Sequence, residues 1–498
     1  MHALGEVEIT PRSIEPFGEL LGEHRFHWLR RDLAEIRGLL GDRIFWHVNS
    51  TAKGGGVAEM LLPVCGYDRG ADVDTRWLVI SGDPRFFALT KSIHNGLHGV
   101  DGRPGEPDRR HYEEVLARNG RQLLDQVRPG DVVLCHDPQT AGLIPRLRRA
   151  GVLVAWRSHI GHERVVGSVE RMWRFLERYL REAHLLIFTR EEFVPPFLRD
   201  LHHRLDPPCI DPLSAKNVLL PRANVRAILL RAGILSGQRG KGTAVFPRAD
   251  GSVGRVQRTA GILRAGRPPP FGTPLVVQVS RWDRLKDPLG VLRAFTQHFR
   301  KDDVHLTLAG PDISGVADDP EGAEVLGEVE AAWHALEPAL RERVHIVSLP
   351  MEDRAENAAI VNALQRYASV VVQKSIYEGF GLTVTEGMWK GRPVVASAVG
   401  GIPEQIVHGV HGLLVRDPHD LEAFARAVMR LIEDPKLARR LGRNARRRAR
   451  SHFLVSQQIR QHLEICRWLI GDGAVRGAAN VRSANPVGGL AGSRPGSA

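Results

Sequence analysis

The sequence of 498 residues is poor in cysteine, and its cysteines form no motif. With four cysteines far apart and no C-x-x-C pair, neither a zinc site nor a disulfide framework is indicated. We interpret them as small core residues or bystanders; they are Cys65, Cys135, Cys209 and Cys466. No apolar run reaches the roughly 18 residues of a membrane span. The N-terminal MHALGEVEITPRSIEP has charges and prolines where a secretory signal needs apolar residues, so we expect a cytoplasmic protein without integral membrane contact.

Familiar metal and nucleotide motifs are also missing. The segment HNGLH places His94 and His98 at helical spacing, but it lacks a third ligand and the Glu of an HExxH motif, so we interpret both as structural. The glycine-rich turn KGGGVAEM is neither a Walker A sequence nor a GxGxxG pattern, and by itself it does not indicate ATP or NAD. The sequence therefore predicts no metal site.

Positive charge is in excess, with a net charge of +12. A protein with this positive net charge could bind nucleic acid, an acidic membrane surface or an anionic substrate. The arginines concentrate in RRLGRNARRRAR, Arg439 to Arg450, which lies in a helical pattern whose exposed face must be polar. We interpret it as a solvated helix face, with a peripheral membrane role as the alternative. No aromatic residues interleave with the arginines, so no nucleic-acid partner is expected.

Short β-rich runs alternate with longer helical ones, which is typical of parallel sheets covered by helices. The first series predicts strands at 43–48, 73–80, 131–135, 152–156 and 184–189, with helices at 111–127 and 169–182. The second predicts strands at 275–279, 304–309, 344–347, 370–373, 394–396 and 413–415. The fold class is therefore α/β, with two Rossmann-like domains that face each other across a cleft holding the ligand.

Domain boundaries follow from changes in composition. Residues 237–272 have little periodicity and are predicted to be a long insertion or partly ordered loop, and the tail is poor in large apolar residues. The predicted division is an N-terminal extension (1–40), an N-terminal Rossmann-like domain (41–205), a linker with the insertion (206–272), a C-terminal Rossmann-like domain (273–450), a C-terminal helix (451–470) and a disordered tail (471–498).

The segment EGFGLTVTEGMWKGRPVVASAVGG begins with Glu378 and places Glu386 eight residues later, around a glycine turn and a helix start. Glycines let the backbone approach a ligand, and a helix N-terminus offers free N–H groups to a diphosphate. Glu378 would then contact a hexose and Glu386 a ribose. The candidate donor contacts in the turn are Gly379, Phe380, Gly381 and Leu382. Taken alone, the spacing of the two glutamates is also that of an ordinary glycine turn before an amphipathic helix, and this alternative is the commoner case.

Two other loops carry candidate donor contacts. Gly54, Gly55 and Gly56 follow the first strand and open a helix, so a phosphate or sugar could approach their N–H groups; the alternative is a flexible turn without a ligand. SRWDRLKDP, after the strand at 275–279, supplies Arg281 and Lys286. These cations could neutralise a departing nucleoside diphosphate, or they could simply face solvent.

Two strand ends of the first domain carry polar groups in HDPQTAGL and WRSHIGHE. Asp137 could accept hydrogen bonds from sugar hydroxyls, and His159 could lie over the reacting sugar carbon. Arg157, in the same segment, is the second candidate contact to an acceptor. A lone histidine is more often structural, but the C-terminal end of a strand favours function.

These motifs together resemble the retaining, nucleotide-sugar-dependent glycosyltransferases of the GT-B type, in the group that contains the sucrose and trehalose synthases. The resemblance covers roughly residues 40 to 470 and extends to GRPVVASAVGGIPEQIVHGVHGLLV. It implies that Arg281 and Lys286 hold the diphosphate, Glu378 the donor sugar and Glu386 the ribose. The glycine loop would lie against donor phosphate and acceptor.

Within that group, HVNSTAKGGGVAEML, CIDPLSAKN and QKSIYEGFGLTVTEGMWK are similar to the trehalose glycosyltransferring synthases and their trehalose phosphorylase relatives. The resemblance implies transfer of glucose from a nucleoside-diphosphate glucose to free glucose, reversibly, to give α,α-trehalose. Phosphorolysis of trehalose and transfer to a glycan or lipid acceptor are the alternatives, and a basic protein that binds membrane or nucleic acid is a third. The sequence departs from the expected pattern at Gly161, where an acidic residue often follows His-Ile.

The expected mechanism is front-face substitution with retention, in which the departing phosphate takes the acceptor proton. A double displacement needs a carboxylate nucleophile, and the motif carboxylates are already assigned to hydroxyls. Because Arg281, Lys286 and helix N-termini supply positive charge, we expect no cofactor and no requirement for Mg²⁺. The nucleotide base, the reaction direction and the oligomeric state stay open, a homodimer among them.

Overall fold

The computed structural model describes residues 4–52, 55–238, 240–299, 303–313 and 320–471. Gly54 and nearly all of the predicted disordered tail lie outside the described residues.

The N-terminal sheet has seven strands in the described part of the chain, in the order β1-β3-β2-β4-β5-β6-β7. All neighbours pair in parallel except β1 with β3. The strands are β1 (Gly5–Glu6), β2 (Phe45–Asn49), β3 (Thr75–Val79), β4 (Val132–His136), β5 (Leu153–Arg157), β6 (Leu185–Phe188) and β7 (His203–Leu205). β2 and β4 are buried throughout, as expected for a sheet covered on both faces.

Helices connect these strands and cover both faces of the sheet. They are α1 (Phe17–Leu21), α2 (Glu23–Leu40), α3 (Gly55–Gly70), α4 (Pro84–Leu97), α5 (Glu106–Leu124), α6 (Ile144–Arg149) and α7 (Gly167–Leu180), with 3-10 turns at Pro138–Leu143, Glu191–Phe193 and Pro196–Leu198. The side chain of Asp83 accepts a hydrogen bond from the Phe86 N–H and begins α4, with Pro84 in its first turn.

The C-terminal sheet also has seven strands within the described residues, in the order β10-β13-β12-β11-β14-β15-β16. Only the edge pair β10 and β13 is antiparallel. With the separate β8–β9 hairpin, the strands of this half are β8 (Val245–Pro247), β9 (Val253–Arg255), β10 (Gly261–Leu263), β11 (Leu275–Val279), β12 (His305–Pro311), β13 (Val344–Leu349), β14 (Val370–Gln373), β15 (Val394–Ser397) and β16 (Leu413–Val415).

The helices of this half are α8 (Arg222–Arg231), α9 (Pro288–His298), α10 (Pro320–His334), α11 (Pro338–Arg341), α12 (Arg354–Tyr367), α13 (Leu382–Trp389), α14 (Ile402–Gln405), α15 (Leu421–Glu433), α16 (Pro435–His452) and α17 (Val455–Ile470), with a 3-10 turn at Arg284–Lys286. Aspartate side chains cap the N-termini of four of them and fix where each helix begins: Asp287 on α9, Asp353 on α12, Asp420 on α15 and Asp434 on α16. No helix in the described residues is long and apolar enough to cross a membrane.

Residues 237–272, predicted to be a long insertion or partly ordered loop, contain three short strands in their described part. These are the β8–β9 hairpin and β10, which extends the C-terminal sheet along β13. Glu356 anchors the segment, because its carboxylate accepts hydrogen bonds from the Gln257 and Arg258 N–H groups at 2.7 Å each. Strands of three residues leave no clear alternation in the sequence, so periodicity could not reveal them.

The last described helix, α17, leaves the C-terminal half and packs against α2, α3 and β5 of the N-terminal half. The chain passes from the N-terminal to the C-terminal half at Ile210 and returns at Leu454. At this crossing, the Val455 N–H donates to the Ile210 carbonyl at 2.9 Å. Arg460 of α17 pairs with Asp32 of α2 at 3.0 Å. The C-terminal segment therefore ties the two halves together, and α17 contributes to the N-terminal core.

Candidate active site

The C-terminal strand ends bring together two predicted site residues, Lys286 and Glu378. Lys286 follows β11 and Glu378 follows β14, and these parallel strands are neighbours in the sheet. The Lys286 ammonium lies 2.6 Å from each carboxylate oxygen of Glu378. The Ser375 hydroxyl also donates to Glu378, at 3.1 Å. A carboxylate and a cation are therefore held adjacent at the sheet edge where α/β proteins bind ligands.

A second, deeper ion pair supports the first and was not predicted. Lys374, directly after β14, is buried and pairs with Asp287. Asp287 adopts φ of +47° and accepts from the Gly290 N–H at 2.9 Å, which begins α9. A Cβ at position 290 would lie 2.0 Å from the Asp287 carboxylate, so this cap requires glycine. Lys374 and Asp287 fix the backbone on which Lys286 and Glu378 stand.

Arg281 takes a different position from Lys286. Its side chain is 65% exposed and pairs with Asp283 at 2.9 Å. Burial lowers the pKa of His94 to about 4, and the cation of Arg281 contributes to the shift. Arg281 thus lies close enough to α4 of the N-terminal half for the two to interact electrostatically.

The glycine turn Glu378–Gly381 interlocks with the loop after β15. The Gly401 N–H donates to the carbonyls of Glu378 and Gly379 at 3.2 and 3.1 Å. Gly381 has φ of +87° at the start of α13, a conformation that favours glycine. The Phe380 ring is 5% exposed and packs edge-on against Phe453, so Phe380 can meet a ligand only through its backbone.

Leu382, the first residue of α13, faces the glycine loop of the other half. A Cβ placed on Gly56 would lie 3.6 Å from Leu382 Cδ1. Gly55 and Gly56 form the first turn of α3. The structure therefore places the two predicted glycine segments against each other, with Gly54 outside the described residues.

Glu386 is 1% exposed, and both of its carboxylate oxygens are occupied. Lys216 lies 2.9 Å from Oε1, and the Gln365 amide donates to Oε2 at 3.2 Å. Burial opposes the charge of Lys216, but the carboxylates of Glu386 and Glu59 outweigh that cost and raise its pKa. A ribose could meet Glu386 only if Lys216 moved aside.

On the N-terminal side, the structure places Asp137 and His159, two predicted site residues, in contact. The backbone N–H of His159 donates to Asp137 Oδ1 at 2.8 Å. Asp137 has φ of +62°, an uncommon conformation for a residue other than glycine, and the Trp156 indole N–H donates to its carbonyl at 3.0 Å. Burial raises the pKa of Asp137 to about 7. This side of the cleft therefore presents a carboxyl group that titrates near neutral pH.

The prediction that Arg157 contacts an acceptor is wrong. Its side chain is 1% exposed and donates to the Asp206 carbonyl at 2.8 Å, behind the strand ends. Burial lowers its pKa. Arg157 instead anchors the chain where it leaves the N-terminal sheet.

The two halves also meet in a cross-cleft clasp made by Tyr377, Gly161, Glu163, Arg190 and Gly400, none of which was predicted as a site residue. The Tyr377 hydroxyl donates to the Gly161 carbonyl. Glu163 accepts from the Gly400 N–H at 3.0 Å, and Arg190 donates to the Gly400 carbonyl. These contacts join residues at least 210 positions apart in the chain, so local sequence carries no signal for them.

The Tyr377 ring packs between two histidines of the N-terminal half. Its centroid lies 5.1 Å from that of His98, edge-on, and 4.9 Å from that of His162, stacked. Burial lowers the pKa of His98 to about 3, with contributions from His94 and Lys286. HNGLH thus lies at the cleft, and the described residues contain no cluster of three or more potential metal ligands.

Comparison with known proteins assigns the family. The family "Trehalose synthase, N-terminal domain" matches residues 47–195, and "Glycosyl transferases group 1" matches residues 263–448. The trehalose synthase of Pyrococcus horikoshii is 32% identical over 475 residues, covering 95% of this chain and all of that protein. The chain belongs to the trehalose synthase family of glycosyltransferases.

Further relatives agree with this assignment. The trehalose synthase of Rubrobacter xylanophilus is 33% identical over 92% of this chain and 99% of its own length. The trehalose phosphorylase of Pleurotus pulmonarius is 28% identical over 80% of this chain, which spans only 53% of that protein. The family is one of hexosyltransferases that act in trehalose chemistry, as the motifs indicated.

Solved structures confirm the GT-B fold. The α,α-trehalose-phosphate synthase (UDP-forming) of Burkholderia xenovorans, in complex with glucose-6-phosphate, superposes with a TM-score of 0.61 at 16% identity, covering 84% of this chain and all of that one. The two sheets and their facing strand ends are therefore those of a two-domain glycosyltransferase.

Gly161 lies where the structure leaves no room for a side chain. A Cβ at position 161 would lie 2.5 Å from Cγ of Phe193, a buried ring in the loop after β6. The same glycine supplies the carbonyl that Tyr377 meets. Two residues later, the Glu163 carboxylate accepts a hydrogen bond from the Gly400 N–H at 3.0 Å.

Proposed function

We propose that this protein transfers glucose from a nucleoside-diphosphate glucose to free glucose in a reversible reaction that forms α,α-trehalose. The observation that carries the proposal is the Lys286–Glu378 pair at the C-terminal strand ends, opposite His159. The two halves of the chain approach closely at this point: a Cβ added to Gly379, the neighbour of Glu378, would lie only 3.0 Å from the His159 carbonyl oxygen. Relatives named trehalose synthase match along nearly their whole length, which supports trehalose as the product.

On the donor side, the pair would open when substrate binds. A diphosphate offers Lys286 a stronger anionic partner, which frees the Glu378 carboxylate to accept hydrogen bonds from donor hydroxyls. Arg281, mostly exposed and held by one contact with Asp283, would turn toward the same phosphates. The positive charge needed by the leaving group is then present before the reaction starts, which is the main electrostatic contribution to rate.

On the acceptor side, Asp137 would hold the sugar. One of its oxygens accepts from the His159 N–H, and the other has no partner among the described residues. That free oxygen would position the acceptor hydroxyl next to the anomeric carbon. His159 would lie over the reacting carbon, and the departing phosphate would take the acceptor proton, which gives front-face substitution with retention.

The test is a donor-by-acceptor screen followed by NMR of the product. Protein is incubated with nucleoside-diphosphate glucoses and either glucose or glucose 6-phosphate, with and without a chelator. We expect a non-reducing disaccharide with both anomeric carbons α from free glucose, and unchanged turnover with chelator. A β linkage would contradict the proposed stereochemistry, and product only from glucose 6-phosphate would contradict the acceptor.

The same preparation is incubated with trehalose and inorganic phosphate. Release of glucose 1-phosphate that depends on phosphate would identify a phosphorylase and refute the proposal. Glu378→Gln should lower turnover at least about 100-fold while nucleotide binding stays nearly intact, because the carboxylate contacts the sugar and not the nucleotide. Glu422→Gln, at an exposed pair on α15, is the matched control and should behave as wild type.

A further inference from the structure

Behind His159 lies a row of buried histidines that the proposed mechanism does not use. His136 ends β4 and His47 lies in the middle of β2, the adjacent parallel strand. Both are at most 1% exposed. With His159 they run from the cleft into the interior of the N-terminal sheet, with successive ring centroids 5.3 Å apart.

Their nitrogens are joined in sequence. His159 Nε2 lies 3.0 Å from His136 Nδ1, and His136 Nε2 lies 3.0 Å from His47 Nδ1. At the inner end, His47 Nε2 is buried and has no hydrogen-bond partner among the described residues. At the outer end, His159 is half-buried, its Nε2 points inward to His136, and its Nδ1 has no hydrogen-bond partner among the described residues.

The charged and titratable groups around the row are few. Asp137 accepts from the His159 backbone, and Arg157 lies close to His136 and His159. His462 of α17 lies beside His47, with ring centroids 5.0 Å apart, and its Nδ1 lies 3.1 Å from Asp68. Burial, helped by these cations and imidazoles, lowers the pKa of all three histidines well below its usual value.

Neutral imidazoles restrict the row to two proton arrangements. A neutral histidine has one N–H and one acceptor nitrogen, so two consecutive hydrogen bonds must point the same way. If they point outward, His159 Nε2 accepts and its Nδ1 carries a proton toward the cleft. If they point inward, His159 Nδ1 carries no proton and offers only a lone pair, and His47 Nε2 carries a buried proton with no acceptor.

The outward arrangement is favoured, because a buried N–H without an acceptor is rarer in proteins than a buried acceptor without a donor. We propose that His47 and His136 are positioning residues that hold His159 in the tautomer with its proton on Nδ1. His159 then presents a hydrogen-bond donor to the substrates and not a base. This agrees with a mechanism in which the leaving phosphate takes the acceptor proton.

The kinetic test compares two substitutions of His47, and it rests on the proposed function. His47→Asn keeps an N–H donor near the position of Nδ1, whereas His47→Phe keeps the packing and removes the donor. We expect His47→Asn to retain most of kcat and His47→Phe to lose at least about tenfold in kcat with KM little changed, because the wrong tautomer of a histidine costs rate and not binding. Equal kcat in the two variants would overturn the proposal.

A matched pair elsewhere in the chain provides the control. His305 Nδ1 lies 2.9 Å from His345 Nε2, at the far ends of β12 and β13 and away from the cleft. His345→Phe should leave kcat unchanged. Thermal unfolding of all variants is followed in parallel, since a loss of kcat at unchanged melting temperature separates the tautomer effect from a packing defect.

A second measurement does not depend on the reaction. In protein labelled with ¹⁵N-histidine and free of substrate, the His159 signals are identified by their loss in His159→Gln. We expect a protonated Nδ1 and an unprotonated Nε2 in the wild type and in His47→Asn, and a mixture in His47→Phe. A proton on Nε2 in the wild type would overturn the proposal even if trehalose is formed, and the expected pattern would uphold it even if the proposed reaction failed.

Discussion

The two sides of the cleft differ in how they carry charge. The C-terminal strand ends hold full charges in pairs, Lys286 with Glu378 and Lys374 with Asp287. The N-terminal strand ends hold imidazoles whose pKa burial lowers and Asp137, whose pKa burial raises to about 7. Paired charges suit a diphosphate, which can take the place of a partner, and neutral groups suit sugar hydroxyls.

The largest effect is expected on the charged side. Lys286→Met removes the cation, leaves Glu378 without its main partner, and should lower kcat/KM by about 100- to 1000-fold. Steady-state kinetics with the nucleoside-diphosphate glucose measure the loss. Arg426→Met, at an exposed pair with Glu422, is the control. If Lys286→Met kept wild-type kinetics, the donor side would not depend on its charge, and the contrast between the two sides would be lost.

On the neutral side, Asp137→Asn should lower kcat about tenfold or more by weakening the hold on the acceptor, with little change in nucleotide affinity. Isothermal titration with the nucleoside diphosphate and acceptor-dependent kinetics separate the two effects. A parallel loss of nucleotide affinity would show that Asp137 serves the donor.

The same variant tests the titration of Asp137. Its folded pKa, about 7, lies above the unfolded value of about 3.9. The folded state therefore keeps a proton that the unfolded chain has lost. The resulting stabilisation is full below pH 4 and is lost as pH rises to about 7. Across that window, the free energy of unfolding of the wild type should fall relative to that of Asp137→Asn, as urea titrations would measure; parallel curves would contradict the shift.

Gly161, whose carbonyl takes part in the clasp, has no room for a side chain. Gly161→Asp would place a Cβ 2.5 Å from the Phe193 ring and should destabilise the fold by about 1 to 3 kcal/mol. Calorimetry measures this loss. Gly38→Asp, at an exposed position of α2, is the control, because an added Cβ there meets nothing within 4 Å and the backbone, like that of Gly161, is not in the left-handed region. An equal loss at both positions would exclude the clash with Phe193.

The smallest effect is expected for Tyr377→Phe, which removes only the hydroxyl that meets the Gly161 carbonyl. A single hydrogen bond contributes about 1 kcal/mol, so KM should rise several-fold with kcat little changed. Kinetics with varied glucose measure it. An unchanged KM would mean that this bond does not contribute to closure of the cleft.

Most of the fold followed from the sequence, because buried parallel strands appear as continuous apolar runs. The runs at β11, β14 and β16 gave the observed bounds, and the other predicted strands agree within two residues at each end. Short strands such as β8 to β10 were missed, since they depend on partners distant in sequence. The helix predicted at 111–127 is α5, which begins earlier, at Glu106. Its first turn is polar and faces solvent, so the apolar pattern did not reveal where the helix begins.

The placement of candidate site residues was predictable where they follow a predicted strand. Lys286 and Glu378 follow adjacent parallel strands, so their meeting was implied by the fold. Arg157 was misplaced, because a strand-end arginine looks exposed until the segment at Asp206 covers it. His47 and Tyr377 were missed, because their partners come from another strand or from the other half of the chain.

In the proposed reaction, the charged side of the cleft holds a nucleoside-diphosphate glucose and the neutral side holds free glucose. The most direct measurement is NMR of the product formed from a nucleoside-diphosphate glucose labelled with ¹³C at the anomeric carbon and unlabelled glucose. We predict one labelled and one unlabelled anomeric carbon in the product, both α and joined to each other. A labelled carbon in the β configuration, or linked to any other hydroxyl, would contradict the account.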